Sequence, residues 1–550
     1  MHICLLFTRF FTRFLLILRN HTNNLYFSLY FPPRGCYNMR KKCMEAHMNL
    51  IPEARSGKTF DYFCTWSAQT RWGLPKEVNL GPQEMRDRLT EDFLFGEGGL
   101  LRGIDPAARG GLIAVLDDGW DVPALSAPAK DISVFGSLIV DEEKFPSCAG
   151  TPEERLKKLS DKVLSLGYAG LGLWVAVQIA GSREGEVFTD EEIYDYWAER
   201  ARWCRAAGVK YWKCDWGRNA RDARFRRLMT DAVKDNAPDL LIEHLYPIPD
   251  PLDSELPRDE AFAGRMALAQ EFFRDSDALR TYDVALEFAI PSTLQRLADF
   301  CAQRPRFPRA GCAGVLNVED CLYLAPGCGA AAGVMRVPLE DYQPRMARSG
   351  KMTELTRLLA WHRLCPPFCL GGASFSQSSE RLVSSYAFPQ DFAGWPDMHG
   401  QTVVQSAPAA MSFNVPLPEA QPDAQGSLPY LLACLNPAAS AYALCALPCT
   451  QPGRLYHEPL CRISLGTLDA NLPIGLFGRY ESCRLSFDSN VENRRVFVQD
   501  LAAREAVDVT DRVALSGPSL TLPGALVERL CAVNQPAGDT SSPAVVVTLA

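Results

Sequence analysis

Carboxylates and tryptophans follow several short apolar runs of this chain, and they are the residues best suited to chemistry. Trp66 follows the first run and Asp117 and Asp118 the second, whereas Trp174 closes the third and Asp215 follows the fourth. Carboxylates accept hydrogen bonds from hydroxyl groups, and tryptophan covers the apolar C–H face of a sugar ring. The pattern therefore predicts a binding site for a polyol.

Further polar residues extend the same series along the chain. Lys213 stands two residues before Asp215, so in a strand both side chains project to one face. Glu243 follows a fifth apolar run, and Arg274 and Asp277 follow a sixth. The other polar residues near these positions are His244, Asp275, Ser276, Glu319 and Asp320.

Alternating strands and helices between residues 59 and 370 would position these side chains. The predicted strands are Phe60–Thr65, Gly111–Leu116, Gly170–Val175, Val209–Cys214, Leu240–Ile242, Glu271–Arg274, Val315–Val318 and Pro367–Leu370. Eight strands that alternate with helices predict a (β/α)8 TIM barrel, with an open doubly wound sheet as the alternative. Because barrel chemistry lies where the carboxyl ends of the strands meet their loops, all of these polar residues are expected at one rim.

Capping residues mark two of the helices between the strands. Thr151 stands three residues before Glu154 and Thr189 three residues before Glu192, which is the spacing of a capping box. Gly167 and Gly208 end the two helical patterns.

The pattern changes after residue 370, where short alternating strands such as 495–500 and 519–522 replace helices. This favours a C-terminal antiparallel β-sandwich domain. The predicted domains are therefore an extension at 1–48, a catalytic barrel at 49–370 and a β-sandwich at 371–550. Residues 1–48 are expected to lie outside the fold, because Arg9, Arg13 and Arg19 interrupt the apolar stretch that a signal peptide needs.

Composition excludes several classes of protein. Residues 49–550 carry 50 basic and 64 acidic residues, and this acidic excess argues against nucleic acid as the ligand. No apolar run is long enough to predict a membrane-spanning segment. The 19 cysteines lie in apolar runs without a CxxC pair, which favours buried free thiols in the cytoplasm and no metal site. No phosphate-binding glycine motif occurs.

Three segments resemble the melibiase-type α-galactosidases, a family of retaining glycoside hydrolases. They are LDDGW at 116–120, GLGLWV at 170–175 and GVKYWKCDWG at 208–217. The segment FFRDSDAL at 272–279 is similar to the family's acid/base segment, and 496–510 resembles part of its C-terminal β-sandwich. The resemblance covers about residues 59 to 530, although TWSAQ replaces the usual tryptophan-rich first strand.

The resemblance implies a role for each candidate residue. Asp215 would be the nucleophile, and Asp277, in preference to Asp275, the general acid/base. Lys213 would keep Asp215 ionised. The implied sugar contacts are Asp117 and Asp118 with the outer hydroxyls, Trp66 and Trp174 as walls, and Glu243 and Arg274 with the C2 substituent. Neither a cofactor nor a metal is implied, and the expected partner is an oligosaccharide.

Other functions remain open at this point. Within the same clan, the alternatives are an α-N-acetylgalactosaminidase and a raffinose-synthase-like transglycosylase. A catalytically silent carbohydrate-binding barrel is a different class. A metal-dependent lyase or isomerase would use Asp215, Glu243 and Asp277 as ligands.

Overall fold

The structure is a computed structural model that describes residues 48–550 apart from 56, 76–77, 79, 124–131, 248–258, 282–289, 320–321, 336–350, 388–399, 401 and 452–453. Residues Asn49–Ala550 form one compact unit. The predicted role of residues 1–48 lies outside the described residues, except at Met48.

Parallel strands form an eight-stranded sheet within the described part of the chain. They are β1 Tyr62–Cys64, β2 Ile113–Leu116, β3 Gly170–Val175, β4 Tyr211–Cys214, β5 Leu241–Leu245, β6 Ala278–Arg280, β7 Val315–Asn317 and β8 Gly333–Val334. Each strand from β1 to β6 pairs in parallel with the next, and β1 also pairs with β8. A parallel bridge between Asn317 and Ala331 joins β7 to the segment before β8. The fold is a (β/α)8 TIM barrel, which confirms the predicted class.

Helices connect these strands, as the sequence pattern predicts. They are α1 Trp66–Arg71, α2 Pro82–Arg88, α3 Glu91–Phe95, α4 Leu100–Gly103, α5 Pro106–Arg109, α6 Pro152–Ser165, α7 Asp190–Ala207, α8 Ala223–Asn236, α9 Glu260–Arg274, α10 Ile290–Ala302, α11 Leu324–Cys328 and α12 Met352–Leu364. Both predicted capping boxes form, at the starts of α6 and α7. Gly208 ends α7 with a φ of 76°, a left-handed conformation that glycine adopts without steric cost.

Two of the predicted strands are wrong. The segment Glu271–Arg274 is the last turn of α9, whose buried face includes Met266, Ala269 and Phe273, and the sixth strand begins only at Ala278. Pro367–Leu370 forms no strand, and β8 lies at Gly333–Val334 instead. Strands β6 and β8, of three and two residues, are too short to show an alternating pattern. Apolar segments elsewhere in the chain were therefore predicted as strands in their place.

The chain after the barrel forms layered β-sheets. Their strands are β9 Phe375–Gln377, β10 Arg381–Ala387, β11 Thr402–Pro408, β12 Ala410–Phe413, β13 Glu419–Gln421, β14 Tyr430–Asn436, β15 Ala441–Leu447, β16 Cys449–Gln451, β17 Arg454–His457, β18 Arg462–Leu468, β19 Ile474–Phe477, β20 Ser482–Phe487, β21 Val496–Asp500, β22 Val507–Asp508, β23 Ala514–Ser516, β24 Ser519–Pro523 and β25 Ala544–Leu549, with helix α13 at Gly524–Ala532. Most pairs are antiparallel, but β12–β14, β15–β19 and β18–β20 are parallel.

An eight-stranded and a five-stranded sheet share one hydrophobic core in this region, with Leu444 and Val545 from the first and Leu465 and Leu485 from the second. The domain boundary at residue 370 stays a prediction.

Small residues let the barrel approach the C-terminal sheet closely. A Cβ added at Gly327 in α11 would lie 2.6 Å from Leu432 Cβ in β14, and one at Gly329 would clash with the ring of Phe368. The small-residue run 327–333 is therefore a segment of close packing. Trp361 of α12 packs edge-on against Phe477 of β19 at a centroid distance of 5.5 Å.

Two further findings concern the described residues alone. None of their helices has the length and apolar character needed to cross a membrane. Their cysteines are free thiols, and nearly all are buried.

Candidate active site

Asp215 lies directly after β4, at the carboxyl-terminal rim of the barrel, and only 8% of its surface is exposed. The indole Nε1 of Trp174, in β3, donates a hydrogen bond of 2.9 Å to Oδ2. The guanidinium Nη2 of Arg280, at the end of β6, lies 3.2 Å from Oδ1. Burial alone would raise the pKa of Asp215, but Arg280, Lys213 and the Trp174 hydrogen bond outweigh burial and lower it. The carboxylate is therefore held in its charged form.

Lys213 points into the barrel interior from the same strand. Its Nζ lies 2.9 Å from Asp117 Oδ2, 3.3 Å from Glu319 Oε1 and 3.5 Å from Cys64 Sγ. Burial opposes the charge, but Asp117, Cys64 and Glu319 raise the pKa of Lys213 well above its usual value. Lys213 thus remains a cation and supports the Asp215 charge electrostatically, while its ion pairs include Asp117 and Glu319.

Asp117 and Asp118 follow β2 and are both buried. Arg86 of α2 binds Asp118 Oδ2 with Nε at 2.8 Å and Nη2 at 2.7 Å. Burial nevertheless raises the pKa of Asp118 to about 7. Asp118 Oδ1 is buried and has no hydrogen-bond partner among the described residues, which makes it a candidate acceptor for a hydroxyl group. The structure therefore places both aspartates at the same rim as Asp215, as predicted.

Aromatic rings surround Asp215 on one side. Trp174 and Trp216 meet edge to face at a centroid distance of 5.3 Å, and Phe135 packs on Trp216 at 4.8 Å. Trp174 is completely buried and orients Asp215, so it is not the open wall that was expected. The half-buried Trp216, which directly follows Asp215, is the ring that remains accessible. Trp66, also half-buried, is the first residue of α1 and packs against side chains of the barrel interior.

Glu243 lies within β5 and is fully buried. Tyr211 donates a hydrogen bond of 2.7 Å to Oε2, and Arg280 Nε lies 3.1 Å from Oε1. Burial raises the pKa of Glu243 to about 7. Both oxygens are therefore engaged inside the barrel, and the expected contact between Glu243 and a sugar C2 substituent stays a prediction.

The expected position of Asp277 is wrong. Asp277 precedes β6, and its oxygens accept hydrogen bonds from the backbone N–H of Ile242 at 2.9 Å and of Ala313 at 3.1 Å. These amides stand near the amino-terminal ends of β5 and β7, and Lys234, near the end of α8, completes the set. Asp277 therefore lies at the opposite end of the barrel from Asp215. The displacement follows from the sixth strand, which begins after this residue and not before it.

Arg274 and Asp275 share that opposite end. Arg274 is the exposed last residue of α9, and Asp275 pairs with Arg309. Neither residue approaches Asp215. The three carboxylates considered as metal ligands, Asp215, Glu243 and Asp277, do not come together either. Within the part of the chain that is described, no group of three His, Cys, Asp or Glu residues could hold a metal ion.

Sequence reasoning missed the residue that organises this site. Arg280 contacts Asp215, Glu243 and, at 3.5 Å, Glu319. Arg280 stands inside a short apolar segment, two positions after Ala278. In a strand these two side chains lie on the same face, and this spacing could have indicated an arginine that points into the barrel. Tyr62 and Tyr211, the hydroxyl donors to the buried glutamates, gave no signal beyond that of apolar strand residues.

Comparison with known proteins gives the following likenesses. No family model matches the chain. No curated protein matches it. Among solved structures, an α-amylase from Geobacillus thermoleovorans is 10% identical and covers 90% of this chain and 99% of its own, with a TM-score of 0.40. A protein from Bacillus halodurans C-125, provisionally identified as an α-N-acetylgalactosaminidase, is 10% identical over 91% of this chain and 99% of its own, with a TM-score of 0.35.

Two further likenesses differ in chemistry. A protein from Bacteroides fragilis, provisionally identified as an α-galactosidase or melibiase, is 14% identical over 91% of this chain and 80% of its own, with a TM-score of 0.32. A homocysteine methyltransferase from Escherichia coli is also 14% identical, over 51% of this chain and 93% of its own, with a TM-score of 0.30. We assign no activity from likenesses of this size.

Proposed function

We propose that this protein is a retaining glycoside hydrolase that uses Asp215 as its nucleophile. The observation that carries the proposal is an ionised carboxylate at the catalytic rim of the barrel, with an aromatic surface beside it. Trp174 and Arg280 fix its two oxygens, and Trp216 lies next to it. A sugar ring needs both features: a carboxylate that can attack its anomeric carbon, and a flat apolar surface.

The nucleophile acts in two displacements. One Asp215 oxygen forms a bond to C1 as the bond from C1 to the leaving oxygen breaks, which gives a covalent glycosyl-enzyme. Water then attacks C1, and the bond between C1 and Asp215 breaks. The negative charge is lost from Asp215 in the first step and returns in the second. Arg280 and the Trp174 N–H stabilise Asp215 as the leaving carboxylate in the second step.

A second carboxylate about 5–5.5 Å from the nucleophile must donate the proton in the first step and accept it in the second. Asp277 lies at the wrong end of the barrel for this role. Residues 282–289, which follow β6 in the sequence, contain Asp283 and Glu287 and lie outside the described residues. Variants at these two positions and at Asp118 should therefore be compared by leaving-group dependence. The acid/base variant loses activity on poor leaving groups far more than on activated ones.

We propose α-galactosides, as terminal residues of oligosaccharides, for the substrate. The motifs LDDGW, GLGLWV and GVKYWKCDWG support this choice, and Asp117 and Asp118 are the candidates to bind the sugar hydroxyls. The α-N-acetylgalactosaminides remain the second candidate, because Glu243 is buried and so does not exclude a C2 acetamido group. Transfer to a sugar acceptor would use the same first step. The cytoplasmic location of the protein stays a prediction.

A panel of p-nitrophenyl α- and β-glycosides tests the function. We expect release of p-nitrophenol from the α-galactoside with retention of the anomeric configuration, as followed by proton NMR. Inversion of configuration would contradict a nucleophilic role for Asp215. Binding of galactose without turnover of any glycoside would favour the silent carbohydrate-binding barrel.

A further inference from the structure

Arg280 lies among three carboxylates beneath the rim of the barrel. Its Nε is 3.1 Å from Glu243, its Nη2 is 3.2 Å from Asp215, and its Nη1 is 3.5 Å from Glu319. Arg280, Glu243 and Glu319 have no exposed surface. A change of charge on either glutamate therefore acts on Asp215 through a single guanidinium group, with little screening by solvent.

Two tyrosines hold the glutamates in place. Tyr62 donates a hydrogen bond of 2.6 Å to Glu319 and lies 3.4 Å from Glu243, and Tyr211 donates one of 2.7 Å to Glu243. The two rings pack edge to face at a centroid distance of 5.3 Å. Neither glutamate is therefore free to rotate toward a ligand at the rim, and Arg280 is fixed from below.

Among the described residues, carboxylates outnumber cations in this cluster. Lys213 and Arg280 are the described cations, and they face four described carboxylates, which are Asp117, Asp215, Glu243 and Glu319. Burial raises the pKa of Glu243 to about 7 and also raises that of Glu319, whereas that of Asp215 is lowered. Glu243 therefore exchanges its proton near neutral pH, whereas Asp215 is held in its charged form.

We propose that Glu243 is a positioning residue that acts on Asp215 through Arg280 and makes no contact with the substrate. This inference rests on the proposed role of Asp215 as nucleophile. When Glu243 is neutral, the Arg280 charge is directed at Asp215 and Glu319. When Glu243 releases its proton to solvent, three anions share that charge, and Arg280 stabilises the departing Asp215 carboxylate less. The second displacement should then slow.

The kinetic test compares the wild type with Glu243→Gln on 2,4-dinitrophenyl α-galactoside. This leaving group needs no acid, so kcat reports the second displacement, in which a general base does not become weaker as pH rises. We expect kcat of the wild type to fall several-fold between about pH 6 and about pH 8, across the pKa of Glu243, and kcat of Glu243→Gln to fall less, because there only other groups such as Asp118 still titrate in this range. Identical pH profiles would overturn the proposal.

A second comparison separates positioning from substrate contact. If Glu243 bound the 2-hydroxyl, Glu243→Gln would lose activity on the galactoside but much less on its 2-deoxy analogue. A positioning residue changes kcat on both substrates by the same factor and leaves their KM ratio unaltered. Unequal losses would therefore return Glu243 to the binding site. Tyr211→Phe is the second variant: without this hydrogen bond the charged form of Glu243 is less favoured, so the kcat decline should move to higher pH.

A stability measurement distinguishes failure of this inference from failure of the proposed function. The pKa of Glu243 is raised in the folded state, so its proton stabilises the fold at low pH, and this stabilisation is lost as pH rises to about 7. The melting temperature of Glu243→Gln relative to the wild type should therefore increase over this range. The matched control is Glu354→Gln, the same substitution at another buried glutamate. Glu354 lies in α12 and accepts a hydrogen bond from the backbone N–H of Ser542.

The two measurements together decide between the outcomes. Suppose that no glycoside is cleaved but the melting temperature of Glu243→Gln relative to the wild type rises with pH. The proposed function is then contradicted, and the raised pKa of Glu243 is supported. If glycosides are cleaved and the relative melting temperature of Glu243→Gln changes with pH no more than that of Glu354→Gln, the positioning role is contradicted and the proposed function is retained.

Discussion

At the scale of single residues, Asp215 combines near-complete burial with a negative charge. Burial of a lone carboxylate is costly and would protonate it. The Arg280 guanidinium and the Trp174 N–H compensate this cost, since each is fixed within 3.2 Å of a carboxylate oxygen. In its proposed role as the nucleophile, Asp215 would need no rearrangement before attack.

Replacement of Asp215 by asparagine should abolish turnover while the fold persists. The substitution keeps the volume and the Trp174 hydrogen bond acceptor but removes the attacking carboxylate. We expect kcat/KM on an aryl α-galactoside to fall by at least about 10³-fold, as loss of a nucleophile does elsewhere. Added azide should yield a β-glycosyl azide. Near-wild-type turnover in pure Asp215→Asn would refute the assignment.

Asp277 should behave as a structural residue and not as an acid. Asp277→Ala leaves two backbone N–H groups and Lys234 without their shared acceptor, which should lower the free energy of unfolding by on the order of 3 kcal/mol. Urea unfolding would measure this loss. Activity of the folded fraction should decline equally on poor and activated leaving groups. A decline confined to poor leaving groups would instead support the acid/base role.

At the scale of elements, the end of a strand decides to which rim a residue belongs. Lys213 and Asp215 follow the alternation of β4 and both reach the barrel interior or its rim. The chain from Glu260 to Arg274 is one helix, so the polar segment 274–277 precedes β6. The sixth strand lies at Ala278–Arg280 and not at 271–274, so Arg280, and not Arg274 or Asp277, is the residue near Asp215.

Helix α12 joins the barrel to the C-terminal sheets through a buried ion pair. Arg357 Nε lies 2.8 Å from Asp500 Oδ1 in β21, and its Nη groups donate to the carbonyls of Ser542 and Cys531. Arg357→Met should lower the free energy of unfolding by about 3–5 kcal/mol, because Asp500 would be left as an unpaired buried charge. Chemical unfolding measures the loss. Arg495→Met, which breaks an exposed pair with Asp508, is the control and should cost less than about 1 kcal/mol. Equal losses of unfolding free energy in the two variants would contradict the prediction that the buried ion pair stabilises the fold more than the exposed one.

At the scale of the whole molecule, buried carboxyl groups should set how stability depends on pH. Burial raises the pKa of Asp118 and Glu243 to about 7 and that of Asp121 to about 6. For Asp61, burial is outweighed by His362 and Arg55, which lower the pKa to about 2. The first group binds protons more tightly in the folded state than in the unfolded state, and Asp61 binds them less tightly.

These shifts predict a stability maximum in weak acid. The stabilisation from the raised groups is complete below their unfolded pKa values and is lost as pH rises toward 7. The stabilisation from Asp61 is present above its unfolded pKa and is lost as pH falls toward 2. We therefore expect the highest melting temperature at about pH 4–5, with a decline on both sides. Differential scanning calorimetry over a pH series measures it. A melting temperature that rises steadily from about pH 5 to about pH 8 would contradict this prediction.

The sequence by itself determined the fold class and half of the site. Strands β2, β3 and β4 are apolar runs of four to six residues with polar groups directly after them, so local pattern located Asp117, Asp118, Trp174, Lys213 and Asp215 correctly. Capping boxes located the starts of α6 and α7 correctly, because each capping box lies within four consecutive residues.

Only the tertiary structure decided the rest. Strands β6 and β8, with three residues and two, are defined by pairing with neighbours that are distant in sequence and carry no alternating pattern of their own. Their positions moved Asp277 and Arg274 to the opposite end of the barrel and brought Arg280 to Asp215. Burial likewise raises the pKa of Glu243 in the folded chain, and its partners there, Tyr211 and Arg280, are residues that no local pattern connects to it.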